Sequence, residues 1–158
     1  MASLLYKALQ NTAWRVEGIS PTSTDICQNT FRQIDPSKVS REESSALERN
    51  FTVTWLGRGE DMYVTDRSGI TSKHRAEVMV IYGPWREWWD EQEVVARDQW
   101  DIAQALRRDD YYDGISDDST ADDCGFYQRT VEEMTLDTSD DDVWFLRIVI
   151  AFMMTEQA

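Results

Sequence analysis

The chain has 158 residues, enough for one domain with a sizeable core, and its 16 basic and 30 acidic residues leave a formal charge of −14. That balance excludes a protein that grips nucleic-acid phosphate through Lys and Arg clusters. Two cysteines far apart without a CxxC, Cys27 and Cys124, and an N-terminus without a signal-peptide core lead us to expect reduced thiols in a cytoplasmic or particle-bound protein.

In chain order, residues 2–17 carry Leu5, Ala8, Leu9 and Val16 at helical spacing, which predicts an amphipathic opening helix ending near Gly18 and before Pro21. Residues 20–49 form a long polar connection with Pro21 and Pro36 and few apolar anchors (Ile26, Phe31, Ile34, Val39). Ser40 with Glu43 fits a capping box for a short helix over 41–49. Phe51–Leu56 alternates as a half-buried strand that is expected to stop at Gly57, and His74–Tyr82 alternates again, so the two should pair antiparallel. The charged segment 58–73 between them is too long for a tight turn and is expected to project as an extended ribbon or a loop.

After Gly83-Pro84 the period becomes helical. Trp88, Trp89, Val95, Ala96, Ile102, Ala103 and Leu106 read as the buried stripe, with Asp90, Glu91, Arg97, Asp98, Asp101 and Arg108 opposite. About twenty-three residues make a helix of roughly 34 Å, ending on Arg107 and Arg108 at the negative end of its dipole. Asp109–Asp123 holds seven aspartates in fifteen residues and reads as a solvated loop. Gly125–Leu136 then supports a strand, and the Asp-rich turn at 138–142 a hairpin into the last one. That last strand, Val143–Met154, is apolar except for Arg147. Its even positions (Trp144, Leu146, Ile148, Ile150, Phe152, Met154) are assigned to the core and its odd ones are only half committed to it. At twelve residues the run is too short to cross a bilayer as a helix. The order gives a single α+β domain over 1–158: an antiparallel, mostly four-stranded sheet packed by a long helix and an N-terminal helix.

Little in the chain points to catalysis. Asp110, Asp113 and Gly114 lack the order of a calcium loop, His74 stands alone, neither cysteine has a nucleophile motif around it, and there is no phosphate loop, GxSxG or HExxH. No enzyme activity, cofactor or metal is expected. Seven tryptophans are many for one small core, and Trp85, Trp88 and Trp89 cluster beside Tyr82, so some are expected in a subunit contact.

The succession of the strand FTVTWLG, a charged connection, the strand HRAEVMVIYG, the helix DEQEVVARDQWDIAQALRR, an Asp-rich link and the closing strand WFLRIVIAFMMTE resembles the tail-terminator (tail-completion) proteins of long-tailed bacteriophages. The resemblance implies a structural subunit of the virion neck, assembled in the host cytoplasm into a homohexameric ring that caps the tail tube and joins it to the head connector or stopper protein. On this reading DNA slides through the lumen without specific binding. Interface or arm candidates are then Arg58, Glu60, Asp61, Asp66, Arg67, Lys73, Trp85, Trp88 and Trp89, and channel-lining candidates are Asp109, Asp110, Asp113, Asp117 and Asp118. The longer 20–49 segment leaves open another neck, head-closure or tail-tube component, and the charge leaves open an acidic inhibitor that mimics DNA.

Overall fold

The computed structural model describes residues 4–35, 47–65, 69–83, 86–106 and 126–156. They form helix α1 (Leu4–Glu17), strand β1 (Arg32–Gln33), β2 (Asn50–Thr65), β3 (Gly69–Tyr82), helix α2 (Trp88–Leu106), β4 (Phe126–Asp137) and β5 (Trp144–Glu156). The fold is α+β, with one five-stranded mixed sheet in the order β1-β2-β3-β5-β4. The four long strands are antiparallel neighbours, as the alternation predicted. The added fifth, β1, pairs parallel with β2 through Arg32↔Asn50 and Gln33↔Phe51. Two exposed polar residues carry no periodicity, so β1 could not be read from the sequence.

β5 is the centre of the structure. Leu146, Ile148, Ile150 and Phe152 are completely buried on one face and Trp144 nearly so, whereas Phe145, Arg147, Val149 and Met153 on the other are half-buried. In register beside them on β3 lie Ala76, Val78, Val80 and Tyr82, and both helices close over this face with Ala8, Ala13, Val16, Val94, Val95, Ile102 and Leu106. On the reverse face Leu47, Ile81 and Val143 form a small cluster with Ile34 and Phe145.

Two expectations need correction. β2 does not stop at Gly57: a bulge there lets the strand run on to Thr65, and Gly57 takes φ 108°, a backbone conformation that side chains disfavour. The 58–73 segment is therefore paired strand on both sides of residues 66–68, and β5 flanks β3 as far as Ile70↔Glu156. Of the short helix expected over 41–49, residues 41–46 lie outside the described ones, and Glu48 and Arg49 form a turn, with Arg49 at φ 69°. Secondly, α2 is rotated from its expected phase. Its buried stripe is Glu91, Val94, Val95, Asp98, Ile102 and Leu106, and Trp88, Trp89 and Ala96 face outward. The last carbonyls of α2 are met by distant cations: Arg15 Nη1 donates to Ala105 O and Arg129 Nε to Leu106 O, both at 3.2 Å. The β4–β5 turn is built as expected from aspartates, which accept backbone N–H groups two residues on: Ser139 N to Asp137 Oδ1 and Asp142 N to Asp140 Oδ1, each at 2.9 Å.

Candidate functional site

The two acids on the buried stripe of α2 are partnered by arginines, Asp98 by the distant Arg49 and Glu91 by Arg86 just ahead of the helix. Arg49, completely buried, donates from Nε and Nη2 to Asp98 Oδ2 and Oδ1 at 2.7 and 2.8 Å. Nη1 donates to the carbonyls of Cys27 and Asn29, both at 2.9 Å, and Nη2 also to the carbonyl of Ser23 at 2.7 Å. Five bonds use all five guanidinium donors. The Phe31 ring lies 5.7 Å away, and Tyr82 Oη adds a 2.7 Å bond to Asp98 Oδ2. Burial pushes the Asp98 carboxyl up, and the bonds from Arg49 and Tyr82 oppose that shift.

Two helical turns toward the N-terminus, beside Glu91, Arg86 holds two carboxyls at once. It meets Glu48 through Nη1–Oε1 at 2.8 Å and Nη2–Oε2 at 2.6 Å, and Glu91 through Nη1–Oε2 at 2.9 Å. Both glutamates are completely buried. The Glu91 carboxyl is pushed up to about 8, by burial first and then by Glu48, against the pull of Arg86. Glu91 therefore keeps its proton at neutral pH.

These two clusters tie the segment 23–29, the turn before β2, the end of β3 and the start of α2 into one body. Arg49 and Asp98 are sealed from solvent, whereas Arg86 is partly exposed and Glu91 Oε1 is buried without a hydrogen-bond partner; both clusters hold these segments together. Among the described residues no group of three His, Cys, Asp or Glu is arranged to hold a metal, and no helix is long and apolar enough to cross a membrane. Cys27 is a free, buried thiol; Cys124 lies outside the described residues. His74 is a buried ladder residue with Nε2 3.0 Å from Ser72 Oγ.

What the chain offers to other molecules is its surface. Of the six described tryptophans only Trp144 is buried; Trp14 on α1, Trp55 on β2, and Trp88, Trp89 and Trp100 on α2 are all exposed. Trp88 and Trp89 meet edge to face with centroids 4.7 Å apart. Across the reverse face of the sheet runs a partly exposed ion ladder. In it Lys73 and Arg75 reach Glu132 at 3.7 and 3.1 Å, and Arg147 reaches Glu77 and Asp137 at 3.4 and 3.8 Å.

Compared with known protein families and with curated proteins, the chain matches none.

The residues singled out from the sequence do not gather at one place. Arg58 sits opposite His74 in the β2–β3 ladder, and Glu60 and Asp61 fall in the irregular stretch between Arg58 and Met62. Lys73 is nine residues down β3 from Tyr82, roughly 30 Å from the end of the sheet where α2 and its Trp88 and Trp89 begin. Asp66, Arg67, Trp85, Asp109, Asp110, Asp113, Asp117 and Asp118 lie outside the described residues. The sequence reading missed Glu91, Asp98 and Trp100. The signal for the acids was there: counting back from Leu106 and Ile102 in steps of three and four falls on Asp98, Val95, Val94 and Glu91.

Proposed function

We propose that this chain is a structural subunit of a phage tail-terminator ring, capping the tail tube and joining it to the head connector. The observation that carries the reading is a sheet with two long open edges. Beyond its two-residue cover by β1, β2 has no outer neighbour among the described residues, and neither does β4 along Phe126–Asp137. Apolar side chains stand in solvent on both edge strands: Trp55 at 48% and Leu56 at 50% exposure on β2, and Leu136 at 37% on β4. Monomers ordinarily blunt or cover such edges. Joining the β4 edge of one copy to the β2 edge of the next is a head-to-tail contact, and a repeated rotation of that kind closes a ring held by main-chain hydrogen bonds. A net charge of −14 per copy suits a lumen that repels duplex phosphate, with Asp109, Asp110, Asp113, Asp117 and Asp118 as its lining.

The test is electron microscopy and light scattering of the purified protein, alone and mixed with tail tubes. The reading expects six-fold rings of about six times the 18.4 kDa chain mass. Trp55→Lys with Leu136→Lys, both at exposed positions, should abolish rings while the chain stays folded. A monomer in every condition that instead binds basic proteins with steep salt dependence would replace the ring with the DNA-mimic reading.

A further inference from the structure

The outer side of α2 has a pattern that the sheet-edge contact of the ring does not use. Trp89 and Trp100 are 73% and 65% exposed, the highest values among the large apolar side chains described. They are eleven residues apart, three turns and about 20° at 3.6 residues per turn, so the indoles stand one above the other roughly 16 Å apart. Glu91, Val94, Asp98 and Ile102 mark the opposite, buried side of the same helix. Between the two rings lie the exposed Ala96 and an ion pair, Glu93 with Arg97 at 3.0 Å, both more than half exposed.

We infer that α2 docks on α2 of a second copy of this chain, antiparallel, about a two-fold axis passing between Val94 and Val95. That point is the midpoint of Trp89 and Trp100, so reversal brings each Trp89 opposite the second copy's Trp100. The same reversal sets Glu93 opposite Ala96 and one residue, about 1.5 Å along the axis, from the second copy's Arg97. Both tryptophans lie to one side of the stripe and Glu93 and Arg97 to the other. A two-fold perpendicular to the helices keeps each kind on its own side, so indoles meet indoles and carboxylate meets guanidinium. Ala96 beside the crossing point leaves room for axes at about 8–10 Å.

Charge singles out a second copy as the occupant. The stripe carries the Glu93–Arg97 pair with Asp90 at its margin, so in a chain of net charge −14 it is close to neutral where the rest of the molecule repels its like. A strongly basic partner would find little excess of acid there, whereas the reversed stripe finds its complement. Four indoles, each offering about 150 Å², supply about 600 Å² of apolar surface, more than half of the roughly 1,000 Å² of a specific interface. The pairing does not depend on the ring: it closes after two copies and uses α2, whereas the ring uses the sheet edges.

The experiment is sedimentation velocity from about 1 to about 300 μM protein. It is run on the natural chain and on the Trp55→Lys/Leu136→Lys chain, in which edge contacts are removed. The mass of two copies is expected in the edge variant. Trp100→Asp or Trp89→Asp should weaken the dimer about thirtyfold or more, as loss of a central aromatic anchor does, with circular dichroism and melting unchanged. Glu93→Arg sets like charges face to face and should also weaken it, and adding Arg97→Glu in the same chain should restore it. The helix's own i,i+4 pair is remade in that double variant too, so only the dimer constant, and not melting, reads the contact between copies. An edge variant that stays monomeric at the top of the range, a dimer indifferent to Trp100→Asp, or a double swap that does not recover overturns the inference.

Discussion

Glu91 holds a proton that an exposed glutamate gives up near pH 4.5, and stability must follow. Between pH 4.5 and about 8 the folded chain keeps this proton while the unfolded chain releases it. The group's contribution is therefore full below pH 4.5 and is lost as pH rises to about 8, a fall of several kcal/mol at roughly 1.4 kcal/mol per pH unit. Glu91→Gln keeps a donor for Glu48 and removes the titration. Thermal melts at pH 5 and pH 8.5 should show the variant level with the parent at the acid end and clearly more stable at the alkaline end. Parallel pH profiles would mean that no shared proton exists. Arg49 is the opposite case, a charge that must stay. Arg49→Met strands the Asp98 carboxylate in the core, and urea titration should find a loss of about 3–5 kcal/mol. Arg49→Lys keeps the charge but supplies three of the five donors, so a smaller loss is expected.

At the level of elements, Gly57 decides how long β2 can be. Nothing lies within 4 Å of the position a Cβ would take, so Gly57→Val would not clash, but φ 108° is strained for any side chain and most for a β-branched one. A cost of about 1–3 kcal/mol in melting or urea unfolding is expected, and an unchanged midpoint would mean the bulge relaxes freely. The same residue shows what the sequence could and could not tell. Alternation in FTVTWL and HRAEVMVIY identified the strands, and the even face of β5 was legible down to Phe152, because period-two patterns survive in any strand that is half buried. Gly57 read as a stop because glycine breaks strands locally, and only the partner β3, with Arg75 waiting opposite, turns it into a bulge. The phase of α2 was misread because tryptophans were assigned to the core and acids to solvent. Arg49, which pairs with Asp98, comes from another part of the chain, while Arg86, which pairs with Glu91, lies just ahead of the helix. No local pattern announces a partner 49 residues away.

For the whole molecule, the acidic segment gives the most direct test of the ring. Changing Asp109, Asp110, Asp113, Asp117 and Asp118 to Asn removes five negative charges per copy. The melting temperature should hold or rise, since like charges repel one another. Rings should still form on electron microscopy, while DNA ejection from the assembled particles slows. Rings with unaltered ejection would take these aspartates out of the channel. The sheet order has a further consequence, for how the chain reaches this state. β2–β3 and β4–β5 are hairpins that can form locally, but the seam between them, β3 against β5, joins residues as distant as Ile70 and Glu156. Closing that seam carries most of the loop-closure entropy, so it is expected to limit the folding rate, with two preformed hairpins waiting to dock. Until they do, Ala76, Val78, Ile148 and Ile150 stand on bare strand edges. At high chain concentration the β4–β5 hairpin of one copy can then dock on β3 of another, giving exchanged dimers whose every contact is native.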